Sequence, residues 1–365
     1  MTPSAHALEP PARFLPGYRL ARAHFLTRAQ ASGARVHSHP MALKGLEGET
    51  LAMDVSVQGP ADAPRVLMTT SGVHGIEGFC GSALQSGLLG QLSPGPDMAI
   101  VHVHAVNPHG FSFGRRVNED NVDLNRNFID FAQPLPVNTD YGEIHDLLLP
   151  RHWPPDAGGE AQLAERASRW GARRMQLAIT GGQYHEPAGL WFGGTSPTWS
   201  QRVFRQVLRE HIGHAREVAW IDLHTGLGPH GVGERIFACT DSGATLERAR
   251  RWWGEDITSV HTGTSHSIPM SGPIQMALYE ECVHARYTGI CLEFGTCPLP
   301  DMVMALRAGH WLHRQEGVPQ ALARQIRERL REAFCPHSPA WQDSVWQQAL
   351  QAAHQALQGL AHDPD

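Results

Sequence analysis

The chain contains no run of Lys and Arg long enough to grip a phosphate backbone. Its 36 acidic against 30 basic residues leave a net charge of −6, which excludes the electrostatic footprint of a nucleic-acid binder. No apolar stretch reaches the roughly 18 residues that a membrane span needs. Met1 to Pro16 is rich in Pro and Ala, with no basic segment leading into an apolar one, so neither export nor membrane insertion is expected. The six cysteines include no C-x-x-C pair and are too sparse for a disulfide framework, which suits reduced thiols and a cytoplasmic location. There is no internal repeat and no linker. The expectation is therefore one domain over 1–365, with an N-terminal extension and helix over 1–33 and a helical part over 300–365. With 41% apolar and 18% charged residues, the composition is that of a globular protein with a sizeable core.

Apolar runs place the elements. Pro16 to Ser32 reads as a helix, and Ala34–His39 and Leu51–Gln58 read as extended segments joined by the turn-like Gly45-Leu46-Glu47-Gly48. Strands are expected at Arg65–Ser71, Met98–His104, Glu217–Leu223, Glu234–Cys239 and Tyr287–Glu293, with a helix over Glu77–Leu92 between the first two. That alternation is the start of an α/β sheet. Asn107 to Asn127 reads as an ordered polar loop, Gly158 to Thr180 as a helix, and Gly181 to Ser200 as a second loop rich in Gly, Pro and aromatics. Such loops often line sites. From Pro300 onward the chain is mostly helical, ending near Trp341–Leu360.

Histidine is the abundant residue, at 23 copies, so a histidine motif needs context before it means anything. His-x-x-Glu occurs at His6/Glu9, His74/Glu77, His214/Glu217 and His313/Glu316. Only His74/Glu77 directly follows an apolar strand, in SGVHGIEG, where α/β proteins place ligands outside the carboxyl edge of the sheet. His224 ends a second apolar run, EVAWIDLHTG, and Glu293 a third, TGICLEFGT. Two histidines and a glutamate are a recognised catalytic zinc donor set, and a carboxylate in an apolar setting has its pKa raised toward the range of a general base. Taken singly, each residue has a plainer reading. A histidine after a strand is more often a satisfied polar residue, and a buried Glu is often paired with an Arg. His230, six residues after His224, is the only nearby further donor that would make the site structural, and its Gly/Pro loop reads as exposed.

In NPHGFSFGRRVNEDNVDLNRNF, Arg126 follows Asn125 and Asp123, with Arg115 and Arg116 upstream. Arginine holds a carboxylate bidentately and, near a metal, steadies a developing oxyanion. The same loop also reads as an Arg-rich segment packed against Glu119 and Asp120.

In order, His74-Gly-Ile-Glu77, Asp123-Leu-Asn125-Arg126, His224 and Glu293 resemble the zinc carboxypeptidase superfamily. The likeness is greatest to its bacterial branch of carboxypeptidase-like proteins with DNVDLNRNF and EFGT signatures, related to aspartoacylase- and succinylglutamate desuccinylase-like proteins, and it runs from about Ser71 to Thr296. It implies a three-layer α/β/α fold around a mixed sheet, with one zinc per chain held by His74, Glu77 and His224. It further implies Glu293 as general base and then acid, Asn125 and Arg126 on the substrate's free carboxylate, and Asp123 orienting His74. Arg116, or else Arg115, would polarise the carbonyl. For the family's substrate-capping tyrosine the candidates are Tyr184 and Tyr279. The implied activity is hydrolysis of an amide in a small peptide or amino-acid conjugate. N-acyl amino acid deacylation, ester hydrolysis, and a non-catalytic metal- or ligand-binding protein are the alternatives.

Overall fold

A computed structural model describes residues 12–240 and 243–363; His6/Glu9 lies outside them. Seven strands form one sheet: β1 (Arg35–Lys44), β2 (Thr50–Gln58), β3 (Arg65–Ser71), β4 (Met98–His104), β5 (Glu217–Gly226), β6 (Gly233–Phe237) and β7 (Arg286–Gly295). Their order is β1-β2-β4-β3-β5-β7-β6. The inner four run parallel, while β1, β2 and β6 are antiparallel to their neighbours. The sheet is mixed and carries helices on both sides, as the sequence leads one to expect.

Alternation along the strands shows how the two faces are covered. On β3, Thr69 and Ser71 point to the helix Gly78–Leu88, where Gln85 donates to Thr69 Oγ1 and accepts from Ser71 Oγ. Thr70, between them, points the other way. It bonds Asp222 and Trp220, and Trp220 packs at a tilt against Phe204 of the helix Trp199–His211. The helix Gly78–Leu88 is buried at every position, which its small residues permit. The long C-terminal helix Pro339–His362, capped by Ser338, touches both it and the sheet.

Several elements differ in detail from the sequence reading. The helix expected over Gly158–Thr180 is two helices, Ala157–Trp170 and Ala172–Thr180, parted at Gly171, whose φ of 79° a side chain would resist. A helix at Thr139–Leu148, started by the Asn138 side chain accepting from Tyr141 N, was not foreseen. The polar loop contains the short helix Pro108–Phe113 and a helical turn at Leu124–Arg126. The helix after β3 begins at Gly78, not Glu77, behind a 3₁₀ turn at Gly75–Glu77. Among the described residues no helix is long and apolar enough to cross a membrane, and all six cysteines are free.

β4 carries two fully buried histidines. His102 Nδ1 lies 2.8 Å from Thr69 Oγ1, and His104 Nε2 lies 2.8 Å from Ser82 Oγ. Burial holds His102 down to about 3 and His104 down to about 4, so both are neutral in the folded chain at any ordinary pH. The unfolded chain takes up protons near pH 6.5 that the folded chain refuses. The stability these groups contribute is therefore complete above about pH 6.5 and falls at about 1.4 kcal/mol per pH unit per site down to about pH 4. The urea midpoint is expected to drop steeply between pH 7 and pH 4.5. A flat midpoint would mean that these imidazoles reach water in the native state.

Candidate metal centre

The parallel strands β3, β5 and β7 lie side by side, and their carboxyl ends bring the candidate residues together. β3 runs out into Gly72, at φ 64°, and the chain turns so that His74 precedes the 3₁₀ turn bearing Glu77. The amides of Gly75 and Ile76 donate to the carbonyls of Arg116 and Arg115, docking this turn on the arginine loop. A Cβ at Gly75 would stand 2.0 Å from the backbone of Gly110, so only glycine permits that approach. On β5 and β7, His224 and Glu293 are direct partners in register.

His74, Glu77 and His224 are buried, at 4%, 2% and 2% exposure, and each offers a ligand atom within 4.8 Å of the others. His74 Nδ1 lies 2.7 Å from Glu77 Oε1, and His224 Nδ1 lies 2.8 Å from Glu77 Oε2. Each Nε2 faces a carboxylate: Asp123 Oδ1 at 3.2 Å from His74 and Asp222 Oδ2 at 2.7 Å from His224. Asp123 and Asp222 fix both rings, leaving both Nδ1 atoms aimed at one spot. That arrangement is how ligating imidazoles are ordinarily held. Burial opposes charge on Glu77, yet the facing His74 and His224 hold its carboxyl well below the usual range. Burial likewise opposes charge on His224, but Asp222 and Glu77 hold its imidazole well above its ordinary value. The donor set, two imidazole nitrogens and a carboxylate in a pre-oriented buried cluster, fits a divalent transition ion.

Arg116 joins the cluster. Its Nε donates to Asp123 Oδ2 at 2.9 Å, its Nη1 to Glu77 Oε1 at 3.4 Å, and its Nη2 lies 2.8 Å from His74 Nε2. Arg115, next in the chain, points away and donates to Asn118 O and Asn121 Oδ1. Glu293 Oε1 accepts the amide of Leu227 at 2.9 Å. Burial, with the charge of Glu77 adding, pushes its carboxyl up to about 8 against the opposing pull of His224. Cys291, on the same face of β7, comes within 4.8 Å of His224 and Glu293.

These groups open on a cavity of about 490 Å³, whose lining includes His74, Glu77, Arg116, His224 and Glu293. Asn125 and Arg126 line it too, though both already have backbone partners. Asn125 Oδ1 accepts from Ile274 N, and the Arg126 guanidinium donates to the carbonyls of Asn125 and Thr180. The Arg126 Nε is buried without a partner. Tyr184 is not at the cavity: it sits behind Arg126, donating its hydroxyl to Arg126 O at 2.6 Å. Tyr279 is likewise off the cavity, accepting from Thr240 N. His230 is exposed, with Nδ1 2.7 Å from Thr296 O, and does not reach the cluster. Of the other His-x-x-Glu pairs, Glu217 is bound to Arg286 and Arg65, while His214 and Glu316 are exposed.

Sequence reasoning missed Asp222 and the far wall of the cavity. Asp222 was within reach: it stands two residues before His224 in a strand, and hence on the same face. The wall comes from Val260 to Met276 together with Gln176 and Thr180, whereas the aromatic loop 181–200 supplies only Trp191.

The chain belongs to the family described as Protein of unknown function (DUF2817), whose model matches residues 14–348. No curated protein matches it. Among solved structures, it is similar to the carboxypeptidase A of Helicoverpa armigera, at 14% identity and a TM-score of 0.43, with 91% of this chain and 78% of that one covered. It is also similar to thrombin-activatable fibrinolysis inhibitor, at 14% identity and TM-score 0.47, covering 97% and 78%. A third is the succinylglutamate desuccinylase/aspartoacylase of Rhodobacter sphaeroides, at 14% identity and TM-score 0.37, covering 82% and 64%.

Proposed function

We propose that this chain is a metal-dependent hydrolase that cleaves an amide bond in a small peptide or amino-acid conjugate bearing a free carboxylate. The observation that carries the reading is the convergence of His74 Nδ1, His224 Nδ1 and the Glu77 carboxylate beside the buried Glu293 on the wall of one cavity. His74, Glu77 and His224 would hold a divalent ion, zinc by preference, which would supply Lewis acidity and lower the pKa of a bound water. Glu293, with a proton affinity near neutrality, accepts a proton from the attacking water and returns it to the departing amine. Asp222 and Asp123 keep the two imidazoles turned toward Glu77. Arg116, anchored by Asp123, faces the cavity as the charge that steadies the carbonyl oxygen as it becomes anionic.

Arg126 and Asn125 are the proposed anchor for the substrate carboxylate, supported by their place on the lining and by the unpartnered Arg126 Nε. Using the anchor requires the guanidinium to share or release the Thr180 and Asn125 carbonyls. The cavity suits compounds of small-molecule size rather than folded proteins.

The test is hydrolysis of matched short peptides that end in a free acid or an amide, followed by mass spectrometry with N-acyl amino acids alongside. Loss of one charge-assisted contact is expected to lower kcat/KM for the amide-capped series by at least ~10-fold. Indifference to the terminal group would remove Arg126 from the anchor role, and turnover of N-acyl amino acids alone would make the chain a deacylase.

A further inference from the structure

At the edge of the sheet far from the cavity, a second cluster of metal-ligating side chains joins two elements that hold each other by little else. His37 and His39 alternate with Ser38 on the edge strand β1 and so share a face. Ser38 points to Asp54 and thus to the helix Tyr18–Ala31, whose Arg22 holds the same carboxylate. The two histidines therefore face the opposite side, where the helix Trp199–His211 packs on β2. Glu210 and His211 are the last two residues of that helix.

His39, Glu210 and His211 each present a donor atom within 4.8 Å of the others. The His37 ring lies 4.7 Å, centroid to centroid, from that of His211. His39 Nε2 and His211 Nε2 are both shut off from solvent, and neither has a hydrogen-bond partner. Buried polar atoms are almost always satisfied, and a bound ion is a standard reason for an exception. Two such orphans stand in one donor cluster, where a cation that accepts lone pairs would satisfy both. The position also favours positive charge, since the carbonyl end of a helix carries a partial negative charge.

We infer that His39, Glu210 and His211, with the His37 ring beside them, form a second site for a divalent transition ion, which clips the edge strand β1 to the end of the helix Trp199–His211. Two imidazoles and a carboxylate are donors of the borderline kind that take zinc, nickel or copper in preference to magnesium or calcium. An ion held between a strand and a helix end ties the two elements together. The clip is independent of the hydrolase reading, since it shares no residue with the cavity.

The test is metal content by mass spectrometry on tag-free protein, equilibrated with zinc and dialysed, for the wild type and two variants. A His74→Asn/His224→Asn variant lacks the cavity donors, and a His39→Asn/Glu210→Gln variant lacks the edge donors. The wild type is expected to hold one more equivalent of zinc than the edge variant. The cavity variant is expected to keep an equivalent that disappears when the edge substitutions are added, and zinc is expected to raise its melting temperature only while the edge donors are intact. Should folding of His39→Asn be compromised, Glu210→Gln alone removes an exposed donor and is expected to weaken the retained equivalent. The inference is overturned if the cavity variant retains no zinc, or if the edge substitutions leave its zinc content and melting temperature unchanged.

Discussion

Glu293→Gln is expected to leave the fold and the metal content intact while lowering kcat by about 10²–10⁴-fold. The substitution is nearly isosteric, and the side-chain carbonyl of Gln can accept the Leu227 amide that Glu293 Oε1 accepts now. Glu293 lies outside the triplet of His74, Glu77 and His224, so that donor set survives. What disappears is the only property the proposed reaction asks of this residue, a proton affinity near neutrality set by burial beside Glu77. With its carboxyl pushed up to about 8, Glu293 is largely neutral at pH 7, so a neutral amide in its place changes the charge of the cluster little and the melting temperature should hold. Metal content, thermal unfolding and steady-state kinetics on one preparation decide the matter. Near-normal turnover with metal in place would eliminate Glu293 as the base, whereas a loss of metal would assign it to the donor set instead.

The residues that converge on the cavity were legible because each sits at the end of a strand whose apolar run is unmistakable. RVLMTTS, EVAWIDLHTG and TGICLEFGT name β3, β5 and β7, and parallel neighbours must deliver their carboxyl ends to one edge. Register completes the argument: His224 opposite Glu293 is a consequence of pairing, not of spacing in the chain. What the sequence hides is side-chain direction where no regular element imposes it. Arg115 and Arg116 are chemically equivalent neighbours, yet one turns to Asn121 and the other to Asp123. Tyr184, a candidate for the capping tyrosine that the resemblance implies, has its hydroxyl committed to the Arg126 carbonyl. The wall from Val260 to Met276 is largely without helix or strand before Met276, so no periodicity announces it, and its course is set by tertiary contacts such as Ile274 N to Asn125 Oδ1. The Thr139 helix is a different kind of miss, since an Asn cap at Asn138 is a start signal that the sequence itself carries.

Chelation is expected to abolish turnover without unfolding the chain, because the proposed donors are held by the protein itself. Glu77 bridges the two Nδ1 atoms, Asp123 and Asp222 fix the opposite ring nitrogens, and Thr70 and Trp220 extend the support from Asp222 into the core. Such a preformed cluster rebinds its ion without a folding step, so added zinc should restore activity promptly. It should also stabilise the fold by about 2.7 kcal/mol at a hundredfold excess over Kd. Asp222→Asn separates orientation from ligation, for it touches no other member of the triplet than His224 and leaves all three donors in place. It is expected to weaken metal affinity about 10–100-fold and to lower activity at limiting zinc. At saturating zinc, much of that activity should return. Glu77→Gln, by contrast, removes a donor and should not be rescued by any practical zinc concentration. Activity that persists in chelated, metal-free protein would refute the metal-dependent reading outright. Asp222→Asn behaving like Glu77→Gln would move Asp222 from support into the reaction.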